Sequence, residues 1–92
     1  MASTTSNIEV TAVPTMRVSI EYCMEWNYQP RAFSLRDELH NQFGIQSELI
    51  QSSGGVFEIE LNENLIFSKK KSGRFPNDGE VASFIEGIEN VI

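Results

Sequence analysis

The chain is 92 residues long, enough for one domain with a modest core. Thirteen acidic side chains against seven basic ones give a net charge of −6, which argues against a nucleic-acid binder. Cys23 is the only cysteine, so no internal disulfide can form, and a reducing, cytoplasmic setting is expected.

Residues 1–15 read as a disordered N-terminal tail, since the opening Ala2-Ser3-Thr4-Thr5-Ser6-Asn7 is small and polar. Ile8-Glu9-Val10-Thr11 alternates weakly, so a short edge strand is the alternative there. The sequence predicts one domain over 16–92. No secretory signal, membrane span or N-myristoylation motif is expected, and the C-terminal Glu89-Asn90-Val91-Ile92 carries no prenylation cysteine.

Met16 to Tyr22 alternates apolar and polar and predicts the first strand. Ala32, Leu35, Leu39 and Phe43 recur at helical spacing, predicting a helix from about Asn27 to Gln42. Pro30 fits only its first turn, Asn27 is the expected N-cap, and Gly44 supplies the positive φ just past its end. A second strand is expected at about Ile45 to Gln51. Strand, helix and strand together imply a parallel pair with a right-handed crossover.

Ser52-Ser53-Gly54-Gly55 reads as a turn. Phe57, Ile59 and Leu61 alternate with Glu58, Glu60 and Asn62, as in an antiparallel strand with one wet face. Asn62-Glu63-Asn64 predicts a tight hairpin turn leading to a strand at about Leu65 to Lys69. A basic loop follows from Lys70 to Pro76. Asn77 and Glu80 then form a capping box before a helix whose apolar face is Val81, Phe84, Ile85 and Ile88.

Cys23 is thus expected in a short loop between the first strand and the first helix. Unpaired amides and the positive end of the helix dipole favour a thiolate there, while Glu25 and the net negative charge oppose it. The bland alternative is a small buried cysteine that only packs. Trp26, beside it, either shields the thiol or presents an aromatic anchor to a partner.

Glu21-Tyr22-Cys23, Tyr28, Arg31-Ala32, Gly54-Gly55-Val56-Phe57-Glu58-Ile59, Leu65-Ile66-Phe67-Ser68-Lys69 and Gly73-Arg74-Phe75-Pro76 stand in an order that resembles the selenoprotein W-like (Rdx) family. The likeness runs from about Met16 onward and is nearest the migration-and-invasion-enhancer branch. It implies an α/β, thioredoxin-like β-α-β-β-β-α fold with a four-stranded mixed sheet in the order 2-1-3-4. It also implies thiol-based redox chemistry at Cys23, through a mixed disulfide with glutathione or a protein thiol. The family's second redox position, cysteine or selenocysteine, is Trp26 here. Any enzyme activity is therefore at most that of a monothiol, glutathione-dependent oxidoreductase. The rival expectation is an interaction module that has lost dithiol chemistry.

Met24, Glu25, Tyr28, Gly54, Gly55, Phe75 and Pro76 are the candidate binding loops around Cys23. Glutathione would enter as co-substrate rather than as a bound cofactor, and the expected state is a monomer able to form a Cys23 disulfide dimer on oxidation. Gly54-Gly55 reads more simply as a plain turn. Lys69-Lys70-Lys71 with Arg74 is a basic patch, read as a solvated hairpin end. His40 lies about 20 Å along the helix from Cys23 and is read as structural. No metal-ligand spacing is present.

Overall fold

A computed structural model describes residues 16–91. The expected N-terminal tail falls outside them. Seven elements follow in order: β1 (Val18–Cys23), α1 (Gln29–Phe43), β2 (Glu48–Ser52), β3 (Phe57–Leu61), β4 (Asn64–Ser68), α2 (Lys69–Ser72) and α3 (Glu80–Val91). The strands form one sheet in the order β2-β1-β3-β4, as expected. β1 pairs parallel with β2 and antiparallel with β3, placing it at the centre.

Alternation along the strands separates the two faces of this sheet. Val18, Ile20 and Tyr22 of β1 and Phe57, Ile59 and Leu61 of β3 are all buried. They join Ala32, Leu35 and Leu39 of α1 and Val81, Ala82 and Ile85 of α3 in one cluster, so both helices cover the same face. The intervening positions are polar. Glu21 stands directly opposite Glu58, and Ser19 opposite Glu60. Phe84 departs from its expected place on the apolar face of the last helix: it is 48% exposed, and Ala82 is buried instead. The apolar stripe of α3 is therefore rotated toward a small residue that fits against α1 and the sheet.

The local signals explain most boundaries. Gly44 takes φ 73° and its N–H donates to the His40 carbonyl at 2.9 Å, closing α1. Asn62 and Glu63 both have positive φ, as a type I′ hairpin turn requires. The Glu80 carboxylate accepts from the Asn77 N–H at 2.9 Å, the half of a capping box that reaches back.

Four expectations need correction. Asn27 is not the cap of α1: it adopts φ 59° inside a turn, and Tyr28 is the N-cap, with no side-chain capping bond. Cys23 is the last residue of β1, not part of the loop, because its N–H still donates to the Val56 carbonyl at 3.0 Å. β2 begins at Glu48 rather than Ile45, whose side chain is buried in the core cluster ahead of the strand. The expected basic loop opens as the single-turn helix α2, which makes the order β-α-β-β-β-α-α. Ser68 creates that turn: its hydroxyl accepts from the Lys71 N–H at 3.1 Å and donates to Glu58 Oε1.

Candidate functional site

The site is built where the C-terminal end of β1 meets two loops. Cys23 is completely buried. It belongs to the position set of Ser19 and Glu21, opposite Tyr22, and it does not join the main hydrophobic cluster. Main-chain bonds lace the loops around it. The Cys23 N–H donates to Val56 O at 3.0 Å, the Met24 N–H donates to Ser52 O at 3.0 Å, and the Tyr28 N–H donates to Cys23 O at 3.2 Å. The segment 24–27 is a turn closed by the Asn27 N–H donating to Met24 O at 3.2 Å.

Gly55 has a steric task here. It is buried at φ 73°, and a Cβ built on it would run into Cζ3 of the Trp26 indole and lie 2.8 Å from Cε3. Only a residue without Cβ lets the ring lie this close. Gly54 differs: its φ of 77° needs glycine, but the space beside it is open. The plain-turn reading therefore holds for Gly54 and not for Gly55.

Trp26 is 60% exposed although its ring is pressed on Gly55. Three edge-on ring contacts carry the aromatic surface inward. Trp26 meets Tyr28 at 6.1 Å between centroids, Tyr28 meets Phe75 at 4.7 Å, and Phe75 meets the buried Phe57 at 5.3 Å. Such tilted pairs place a positive ring edge against a negative ring face. Of the expected site residues, Cys23, Trp26, Tyr28, Gly55 and Phe75 come together. Met24 and Glu25 occupy the exposed turn itself. Pro76 lies further round, in an open groove of about 270 Å³ shared with Pro30, Arg31, Ser34 and Phe57. His40 lies in the last turn of α1, away from this end.

Two cations complete the arrangement, and sequence reasoning did not place them in it. The Arg31 guanidinium lies 4.1 Å from the Phe75 ring centroid. Lys69 Nζ lies 5.4 Å from Phe75 and 5.5 Å from Tyr28. Both are within cation–π range. The nearby Arg74 is engaged elsewhere: it forks onto both carboxylate oxygens of Glu80, at 2.8 and 3.0 Å. That hydrogen bond, with the Asn77 N–H, lowers the Glu80 pKa to about 2.

A central strand that runs into a turn, then into a helix lying on the sheet, with β3 and β4 folded back beside it, defines a thioredoxin-like domain. The solved structure of a selenoprotein W-related protein from Vibrio cholerae shares this fold at TM-score 0.75. It is 28% identical, and the match covers 82% of this chain and 98% of that one.

The chain belongs to the Rdx family, whose model matches residues 17–86. It is 30% identical over 83 residues to selenoprotein W of Danio rerio, covering 85% of this chain and 96% of that protein. It is 32% identical over 76 residues to migration and invasion enhancer 1 of Bos taurus, covering 82% of this chain and 66% of that protein. The chain thus spans about two thirds of the length of that relative. Among the described residues, no helix is long and apolar enough to cross a membrane.

Proposed function

We propose that this domain is a redox-related protein that works through one thiol, Cys23. Membership of the Rdx family suggests a redox-related role. One observation carries the finer reading. Cys23 is fully buried at the end of its strand, its main chain bonded to the flanking loops, and it lies outside the main hydrophobic cluster. A cysteine serving only to pack would be expected among the core residues.

Cys23 becomes reactive when the turn 24–27 and the Trp26 indole swing off Gly55. The Cys23 thiolate then attacks one sulfur of a disulfide, either oxidised glutathione or a protein disulfide. That S–S bond breaks, one thiolate leaves, and a mixed disulfide with Cys23 forms. With Trp26 in the family's second redox position, no internal thiol can reverse the step. A second thiol from outside attacks the partner's sulfur and expels the Cys23 thiolate. This is a monothiol cycle, suited to a reducing, cytoplasmic setting.

Full burial of the thiol beside an exposed Trp26 favours one other reading: a protein-interaction module that kept the fold and has no thiol step. The pH dependence of Cys23 alkylation, followed by intact mass after exposure to oxidised glutathione, separates the two. The redox reading expects a titrating, accessible thiol and a single glutathione adduct. A chain that stays unlabelled and unadducted until it unfolds overturns it.

A further inference from the structure

We propose that the basic-aromatic corner beside the Cys23 loop is a docking surface for an acidic segment of a partner protein. This corner is unlike the rest of the molecule. Five of the seven Lys and Arg side chains gather there: Arg31, Lys69, Lys70, Lys71 and Arg74. The opposite face of the sheet carries Glu21 and Glu60, while the Glu58 carboxylate reaches the start of the lysine turn and accepts from the Lys70 N–H at 3.2 Å. Positive charge is thus segregated to one place on a chain of net charge −6.

Four of the corner's five cations are also uncommitted, Arg74 being paired with Glu80. Among the described residues the ion pairs are Arg17–Glu63, Arg36–Asp37 and Arg74–Glu80. Arg31 and the three lysines have no carboxylate partner among them. Arg31 and Lys69 are instead held against Phe75 and Tyr28, which fixes two charges on an apolar base. A guanidinium over a ring keeps its outward N–H groups free to fork onto a carboxylate.

The chemistry selects the occupant. Two anchored cations and the exposed Lys70 and Lys71 match a segment with several Asp or Glu side chains. The exposed Trp26 edge, joined to Tyr28, offers a place for one apolar side chain of the same segment. The local acids set the limits of the surface. Glu25 lies on the turn, Asp78 lines the groove, and Glu38 stands two turns along α1 from Arg31, about 10 Å away at 1.5 Å per residue. These would repel an acidic chain running the full length of the groove, so the segment crosses at Arg31 and Lys69. The inference holds whether or not Cys23 reacts.

The test uses the full chain with Cys23→Ala, so that a failure of thiol chemistry does not affect the result. An acetylated Glu-rich peptide containing one Leu is titrated in, and binding is read from backbone amide shifts and from the fluorescence of Trp26. The expected result is saturable binding centred on residues 26–31 and 69–75 that weakens as salt is raised. A peptide with Lys at every Glu position should not bind.

Arg31→Glu with Lys69→Glu should weaken binding by about tenfold or more, as reversed rim charges do. Arg17→Glu with Arg36→Glu changes net charge equally, away from the corner, and should alter affinity by no more than about twofold at moderate salt. Four results each overturn the proposal. These are no binding, equal binding of the Lys peptide, equal losses in the two double variants, or shifts mapping to another face.

Discussion

The two long helices begin in opposite ways. α3 starts at a fully furnished end. The Glu80 carboxylate accepts from the Asn77 N–H, and Arg74 clamps the same carboxylate with two hydrogen bonds. α1 starts at Tyr28 with no side-chain capping bond and no acidic residue in its first turn. Its entrance is held by edge-on rings, by the main-chain bond from Tyr28 to Cys23, and by a tryptophan resting on a glycine. A capped entrance fixes a helix at little cost elsewhere, whereas one held by ring contacts can open without unfolding the sheet beneath it. The contrast sets a hydrogen-bonded entrance beside a ring-held one, since Phe75, Asn77 and Asp78 share a groove with Pro30 and Arg31.

The largest effects should come from the frame that both entrances share. Ile59 is fully buried in the central core. Ile59→Ala should lower stability in urea by about 3 kcal/mol, within the range for buried aliphatic truncations. Retention of most wild-type stability would mean that the core is looser than its burial implies.

The α1 entrance is tested next. Gly55→Ala forces a Cβ into the indole and places alanine at positive φ. It should cost about 1–2 kcal/mol and displace Trp26, seen as a red shift in fluorescence. Trp26→Ala removes the indole from Gly55 without straining the backbone. Its stability should change little, but Cys23 alkylation should quicken about tenfold, the factor given by about 1.4 kcal/mol of lost closing contact. Unchanged alkylation would mean that the loops, not the indole, guard the thiol.

The α3 entrance supplies the smallest effect and a sign. The folded-state pKa of Glu80 is depressed to about 2 from an ordinary 4.5. Its stabilising contribution is therefore complete above pH 4.5 and fades as pH falls toward 2. Glu80→Gln should flatten this part of the stability profile in urea titrations between those limits. It should leave Cys23 labelling untouched, because among the described residues neither Arg74 nor Glu80 hydrogen-bonds to Cys23 or to the turn 24–27. A change in labelling would show that the two entrances are coupled.

Much of the frame was legible because it rests on local or periodic signals. The alternation in Phe57 to Leu61 and the glycine after Phe43 act within a few residues and appear as read, while the Asn77–Glu80 box appears only in its Glu80 half, with no capping bond from the Asn77 side chain. The strand order followed from the likeness to the Rdx family together with the crossover rule.

The errors arise where a distant group decides. Asn27 looks like a cap, but the main-chain bonds between Tyr28 and Cys23 move the helix start and leave Asn27 in a left-handed turn. Lys69 looks like the end of a strand and Lys70 to Pro76 like loop, but Ser68 and Glu58 wind Lys69–Ser72 into a turn of helix. Of the site, Cys23, Trp26 and Tyr28 were visible as neighbours in sequence. The meeting of Arg31, Lys69 and Phe75 was not, since it joins three separate segments. No local spacing records such a contact.

The burial of Cys23 has a kinetic consequence for the products of oxidation. A small disulfide reaches the thiol whenever one molecule is open, so its rate scales with the open fraction. A Cys23–Cys23 dimer needs two open molecules to meet, so its rate scales with the square of that fraction. For a minor state populated at about 1%, the self-reaction is suppressed about a hundredfold more strongly than adduct formation. If Cys23 works by the proposed thiol step, its burial would act as a kinetic filter, favouring foreign disulfides over pairing with its own kind.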